Sequence, residues 1–306
     1  MKKSTIIMIV CVLLMAACGQ SYEETKRQKG ISQREAMRKD SAALKVAVMP
    51  TLDCLPLYVA EHYQLFDTLR GGVRLKFYMA QMDCDTALLR GRVEGAMTDL
   101  VRAKRMERQG MKLRYPAVTA AYWQLIANRN ARVKQLKQLD DKMVAMTRYS
   151  ATDLLADFVL DSAKLQKERL FKIQVNDVNI RLKMLINSEI DAVLLTEPQA
   201  SVARQAHHQL LLDSRKIPVR FGVISFREKS LADKERQRQL EVFKRGYNQA
   251  CDSLKQFGVG RYRELIVKYC NVKENQVDSL MQTLQFEKIT EPSEADVERA
   301  RKWLKK

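Results

Sequence analysis

Polar residues able to hold a small ligand recur where apolar runs stop. Thr51 and Asp53 follow LKVAVMP, Gln81 and Asp83 follow VRLKFYM, and Thr98 and Asp99 close the run VEGAMTD. Thr147, Arg148, Ser150 and Thr152 follow KMVAM, and Thr196 and Glu197 follow IDAVLL. Each group stands where a strand should give way to a helix. A helix start leaves backbone N–H groups unpaired and carries the positive end of the dipole, so it can grip an anionic or strongly polar ligand. Any one of these residues can equally serve as the cap of its own helix. Five such ends on the same sheet edges make a functional cluster the expectation. Their charges point two ways. The guanidinium fork of Arg148 suits a sulfonate, nitrate or carboxylate, whereas Asp53, Asp83 and Asp99 would pair with an amino group.

Other chemistries find less support. His62, His207 and His208 have no companion at metal-ligand spacing and no CxxC occurs, so neither a metal site nor a cofactor is expected. No Ser/His/Asp arrangement is visible, and Cys54 and Cys84 have no obvious base to activate them. The chain therefore reads as a non-enzyme, with an enzyme on the same scaffold as the alternative.

These residues need a scaffold that brings strand ends together. LKVAV, VRLKF and VEGAMT are short, β-branched or apolar runs separated by helical spacings such as Leu57, Tyr58, Leu65 and Phe66, which predicts a mainly parallel sheet covered on both faces. Near residue 111 the alternation breaks: LRYPAVTAAYWQLIANR reads as two extended segments with no helix between them, as a crossover between lobes would. A second alternating block runs from KMVAM through FKIQV and IDAVLL to QLLLD. PVRFGVISF returns the chain, and from Ser230 onward the pattern is helical. The fold class expected is thus α/β with two lobes, each a mixed, mainly parallel sheet flanked by helices, backed by C-terminal helices. Residues 44–120 and 221–306 form the first lobe and residues 121–220 the second. Ligands of open α/β sheets sit beyond the carboxyl ends of the strands, so the cleft between the lobes is the expected site.

The N-terminus speaks to location. Lys2 and Lys3 precede an apolar run from Ile6 to Ala17, too short at 1.5 Å per residue to cross the roughly 30 Å hydrocarbon core. LLMAACGQ resembles a bacterial lipoprotein signal, which implies cleavage after residue 17 and lipidation of Cys18. Residues 18–43, rich in charge and small polar side chains, read as a flexible tether. The chain is then exported and membrane-anchored, facing the periplasm or cell exterior. Its 54 Lys and Arg against 36 Asp and Glu, a formal charge of +18, could attract nucleic acid, but export argues against it and most of the excess reads as solvated surface. An exported compartment also permits disulfides. Cys54 with Cys84, and Cys251 with Cys270, are the candidate pairs, against free thiols.

Three motifs in order, LKVAVMPTLDCLPLYVAEHYQLFD, ALLRGRVEGAMTDL and LINSEIDAVLLTEPQASVA, resemble the type II periplasmic binding proteins of ABC importers, in the branch for nitrate, aliphatic sulfonates, taurine and thiamine-precursor pyrimidines. The resemblance implies ligand-contacting loops at Thr51, Leu52 and Asp53, at Gln81 to Asp83, at Thr98 and Asp99, at Thr147 to Thr152 and around Glu197, with Trp123 stacking on a planar solute. AQMDCD stands where that family often has small Gly or Ser residues. A monomeric receptor that passes a small solute to a membrane permease and its ATPase is what the family implies; one that reports the solute to a sensor kinase would look the same in sequence.

Overall fold

The computed structural model describes residues 22–66, 72–277 and 284–305. The signal-like run and Cys18 lie outside them. The chain divides at Ala43 into two units. The described part of the first is one helix, α1 (Tyr22–Ala42), where the composition predicted a tether without secondary structure. The correction has a simple cause. Glu, Lys, Arg, Gln, Ala and Met dominate the segment, and these are the residues that lose least on entering a helix.

The second unit holds two five-stranded sheets. The first uses β1 (Leu44–Val48), β2 (Val73–Phe77), β3 (Gly95–Asp99), β4 (Leu113–Val118) and β10 (Gly222–Arg227) in the order β2-β1-β3-β10-β4. β1 runs parallel to β2 and β3, and β10 returns antiparallel between β3 and β4. The second uses β5 (Gln124–Ala127), β6 (Lys142–Met146), β7 (Leu170–Gln174), β8 (Ala192–Leu195) and β9 (Gln209–Asp213) in the order β7-β6-β8-β5-β9. Here too three neighbouring strands, β7, β6 and β8, are parallel, and β5 runs antiparallel between β8 and β9. Two mixed sheets with the same internal plan are the two lobes.

Helices follow the strand ends, and three of those in the two lobes are capped by a side chain there. After α2 (Leu55–His62), with Pro56 in its first turn, and α3 (Gln81–Leu89), α4 (Leu100–Arg108) is capped by Asp99, whose carboxylate accepts from the Arg102 amide at 3.0 Å. In the second lobe α5 (Ala151–Ala163) is capped by Ser150 and α6 (Val178–Ile186) by Asp177, while α7 (Gln199–Gln205) follows β8. The 24-residue α8 (Lys234–Phe257) then lies against α2, burying Phe243 and Tyr247 beside Tyr58, Phe66 and Phe226. α9 (Arg263–Cys270), α10 (Glu274–Val277) and α11 (Glu294–Trp303) complete the described chain.

Two crossings join the lobes, residues 119–123 and 214–221, and they are bonded to each other. Trp123 N–H donates to Ser214 Oγ and Ser214 N–H to the Trp123 carbonyl, both at 2.9 Å, and Thr119 N–H donates to the Gly222 carbonyl at 2.9 Å. Gly222 is required by proximity: a Cβ there would lie 2.6 Å from the Ala121 Cβ and collide with Thr119 Oγ1.

All four described cysteines are free and buried, which corrects both candidate disulfides. Cys54 packs with Val46 and Val48 on one face of β1, and Cys84 packs with Ala47 on the other. Strand alternation separates them. Cys251 and Cys270 share a core but are unbridged, the Cys251 thiol donating to the Glu287 carbonyl at 3.3 Å.

Candidate functional site

A cavity of about 60 Å³ opens between the lobes at the carboxyl ends of their central strands. The first lobe contributes Thr51 and Asp53 after β1, Met79 and Gln81 after β2, and Thr98 and Asp99 at the end of β3; the second contributes Thr147, Ser150 and Thr152 after β6 and Thr196 after β8. Trp123 reaches it from the first crossing. Ten of the residues singled out from sequence therefore share one space: Thr51, Asp53, Gln81, Thr98, Asp99, Trp123, Thr147, Ser150, Thr152 and Thr196.

Four others do not line it. Leu52 is fully buried in the first lobe's core, its amide donating to the Glu197 carbonyl at 2.8 Å. Asp83 and Arg148 are exposed. Glu197, only 1% exposed, accepts from the Tyr122 hydroxyl at 2.7 Å, from Arg204 at 3.0 Å and from the Ser201 amide at 3.0 Å. Its carboxylate is fully engaged in bracing α7 against the first crossing.

The cation in the cavity is Arg181, which the sequence reading passed over. It lies one turn into α6, 5% exposed, and Nη1 donates to Thr147 Oγ1 at 2.8 Å and to the Val175 carbonyl at 2.9 Å. Its Nε has no partner, and among the described residues no carboxylate oxygen comes within 4 Å of its guanidinium. Burial pulls its pKa down to about 10, with Asp177 partly opposing and Arg102 adding to the fall. The signal was present in sequence: Val178, Arg181, Leu182 and Leu185 form one helical stripe, and an arginine on an apolar stripe needs a reason.

The other buried arginine is already neutralised. Arg102 pairs with Asp85 in a buried ion pair, and Asp85 Oδ1 also accepts from Gln81 Nε2 at 3.2 Å and Thr98 Oγ1 at 3.3 Å. Asp85, also absent from the sequence reading, thus fixes two cavity side chains at once. In the second lobe Thr147 N–H donates to Thr152 Oγ1 at 2.9 Å and Ser150 Oγ to the Thr147 carbonyl at 2.6 Å. The loop closes on itself through Tyr149 at φ 54°, which turns Arg148 outward and Thr147 and Ser150 inward.

Two carboxyls face Arg181's lobe from the other side. Burial raises Asp53, against smaller opposing hydrogen bonds from Thr51 and from Thr119 Oγ1, which donates at 3.4 Å. Burial also raises Asp99 to about 6, opposed by Arg102 and by the Arg102 and Ala151 amides. Ala151 belongs to the second lobe, so the groups that tune this carboxyl come from both sides of the cleft.

The architecture places the chain among known folds. It matches the alkanesulfonate-binding protein SsuA from Xanthomonas axonopodis pv. citri bound to MOPS with a TM-score of 0.73 at 16% identity, over 86% of this chain and 91% of that one. This is the type II periplasmic-binding-protein fold. The same fold is shared with the periplasmic aliphatic sulphonate-binding protein SsuA from Escherichia coli, with a TM-score of 0.70 at 15% identity over 86% and 92% of the two chains. The periplasmic nitrate-binding protein NrtA from Synechocystis matches with a TM-score of 0.64 at 13% identity, over 78% of this chain and 70% of that one. No protein-family model matches the chain, and no curated protein matches it in sequence. Among the described residues no helix is long and apolar enough to cross a membrane.

Proposed function

We propose that the chain is the solute-binding component of an ABC import system, capturing a compact anionic or zwitterionic organic solute between its lobes. The observation that carries this reading is Arg181: a buried guanidinium with an unpartnered Nε, facing a cavity whose opposite wall belongs to the other lobe. An uncompensated buried charge is costly, and an incoming anion offsets that cost. Sulfonates, nitrate and taurine fit this better than an uncharged pyrimidine. The cavity has room for about four to six water-sized groups at ~10–15 Å³ each, which also favours a small solute. A ligand touching both walls has different affinity for open and closed forms, and so shifts the chain toward the closed one. Catalysis is the weaker reading. Burial pushes the Cys54 and Cys84 thiols up, away from the reactive thiolate, and neither thiol lines the cavity.

In this reading the protein is an exported monomer held at the membrane by lipid on Cys18, and it hands its solute to a permease driven by an ATPase. A panel of alkanesulfonates, taurine, nitrate, hydroxymethylpyrimidine and aromatic acids tests it by thermal shift and small-angle X-ray scattering. At least one anionic member should raise the melting temperature and reduce the radius of gyration. A panel in which no member does either would overturn the reading.

A further inference from the structure

The C-terminal segment touches more than the lobe that carries it. Its first part is fastened to the first lobe and the crossings. Ile289 N–H donates to Asn248 Oδ1 on α8 at 2.8 Å, and the Val118 amide at the end of β4 donates to the Thr290 carbonyl at 2.7 Å. Beyond Pro292 the chain enters α11, where Ser293 caps the helix by accepting from the Asp296 amide at 3.2 Å. Arg299 Nη1 then donates to the Pro218 carbonyl, on the second crossing, at 3.0 Å. Ala300 is fully buried among Leu100, Val101, Val118 and Val223 of the first lobe and Ala151 of the second.

The far end of the helix reaches the second lobe directly. Trp303 Nε1–H donates to Asp157 Oδ2 on α5 at 2.9 Å. Asp157 is itself held from below, because Lys172 on β7 bonds its other oxygen and bonds Asp153 at 2.8 Å. The acceptor is therefore in place before the indole arrives. Arg108, at the end of α4 in the first lobe, donates to the Leu304 carbonyl and steadies the same tip.

We infer that α11 is a clasp: rooted on the first lobe and the crossings, it holds the second lobe through the Trp303–Asp157 bond and biases the chain toward the closed arrangement before any solute binds. Hinge motion between the lobes must either break this bond or lift α11 from α4. The lobes are also joined directly by the Leu52 N–H donating to the Glu197 carbonyl at 2.8 Å and by Gln199 Nε2–H donating to the Pro50 carbonyl at 3.0 Å. The Trp303–Asp157 bond adds to these a link carried by α11, which raises the population of the closed form and slows its opening, whatever solute the cleft takes.

Scattering of the solute-free full chain tests this, with Trp303→Phe, Asp157→Ala and the double variant beside the wild type. A charge-assisted hydrogen bond at a part-exposed site supports roughly a three- to tenfold shift in the closed-to-open ratio. Each single variant should therefore show a larger radius of gyration, and the double variant should add nothing beyond the larger single effect. Circular dichroism separates opening from unfolding, and Asp157→Ala keeps the test valid if loss of the indole impairs folding, since it removes the acceptor and leaves the indole in place. Scattering curves that superimpose on the wild type while the fold is intact would overturn the clasp, as would additive effects in the double variant.

Discussion

Arg181→Met should trade binding for stability. In the solute-free chain the guanidinium is buried with its Nε unpartnered, and its pKa falls from 12.5 to about 10. A base with a depressed folded pKa destabilises the fold wherever it is forced to stay charged, here at every pH below about 10. Two and a half units correspond to roughly 3 kcal/mol at ~1.4 kcal/mol per unit. Methionine would relieve that cost and fill a similar volume, but it forfeits the bonds to Thr147 Oγ1 and the Val175 carbonyl, each worth about 1 kcal/mol. The net expectation is a gain of about 1 kcal/mol, or a melting temperature higher by about 2–4 °C for a unit of this size. The same substitution removes the one buried arginine that, among the described residues, has no carboxylate partner, so affinity for any anionic solute should fall by about 100-fold or more. Thermal denaturation without solute and calorimetric titration with it measure both sides. A variant that melts lower and binds unchanged would show that Arg181 is a structural brace and would refute the reasoning.

Asp99 gives a pH signature. Its carboxyl is raised to about 6 by burial, so the unfolded chain releases this proton at lower pH than the folded one. Its stabilising contribution is complete below about pH 4 and is lost as pH rises through 6, roughly 3 kcal/mol in all. The difference in stability between wild type and Asp99→Asn should vary over that window and level off above it in urea melts; a difference constant with pH would contradict the assignment. Gly222→Ala should lower the urea midpoint by the equivalent of about 1–3 kcal/mol, since the new Cβ meets Ala121 and Thr119 on the other crossing. An unchanged midpoint would mean the crossings are looser than described. Finally, Cys54, Cys84, Cys251 and Cys270 should resist a thiol reagent in the native chain and all react after unfolding without reductant. A thiol that reacts only after reduction would reveal a bridge.

The strands were legible because each buried strand is a short apolar, β-branched run with a turn or cap beside it, whereas their order in the sheets came only with the structure. The crossings were legible as extended sequence with no helix between. What sequence could not show was the direction of side chains around irregular loops. Arg148 follows the right strand, yet the left-handed turn at Tyr149 carries it outward, and the cavity's cation comes instead from the first turns of α6. Glu197 stands at a strand end as Thr196 does, but it turns inward to Tyr122 and Arg204 and leaves the cavity to its neighbour. The cysteine pairs failed for a related reason. Cys54 and Cys84 both follow strands at the same edge, and only the packing shows that β1 lies between them. In α1, composition spoke for solvation and said nothing against helix, because the residues that keep a segment soluble are also strong helix formers.

Solute capture between the lobes is tested most directly by native mass spectrometry of the freshly purified chain, compared with the Arg181→Met variant. The wild type should carry a noncovalent adduct of a small organic acid or oxoanion, supplied by the host or by added alkanesulfonate, taurine or nitrate, and the variant should lose it. Bare wild-type protein under all of these conditions, or an adduct that persists undiminished on Arg181→Met, would contradict it.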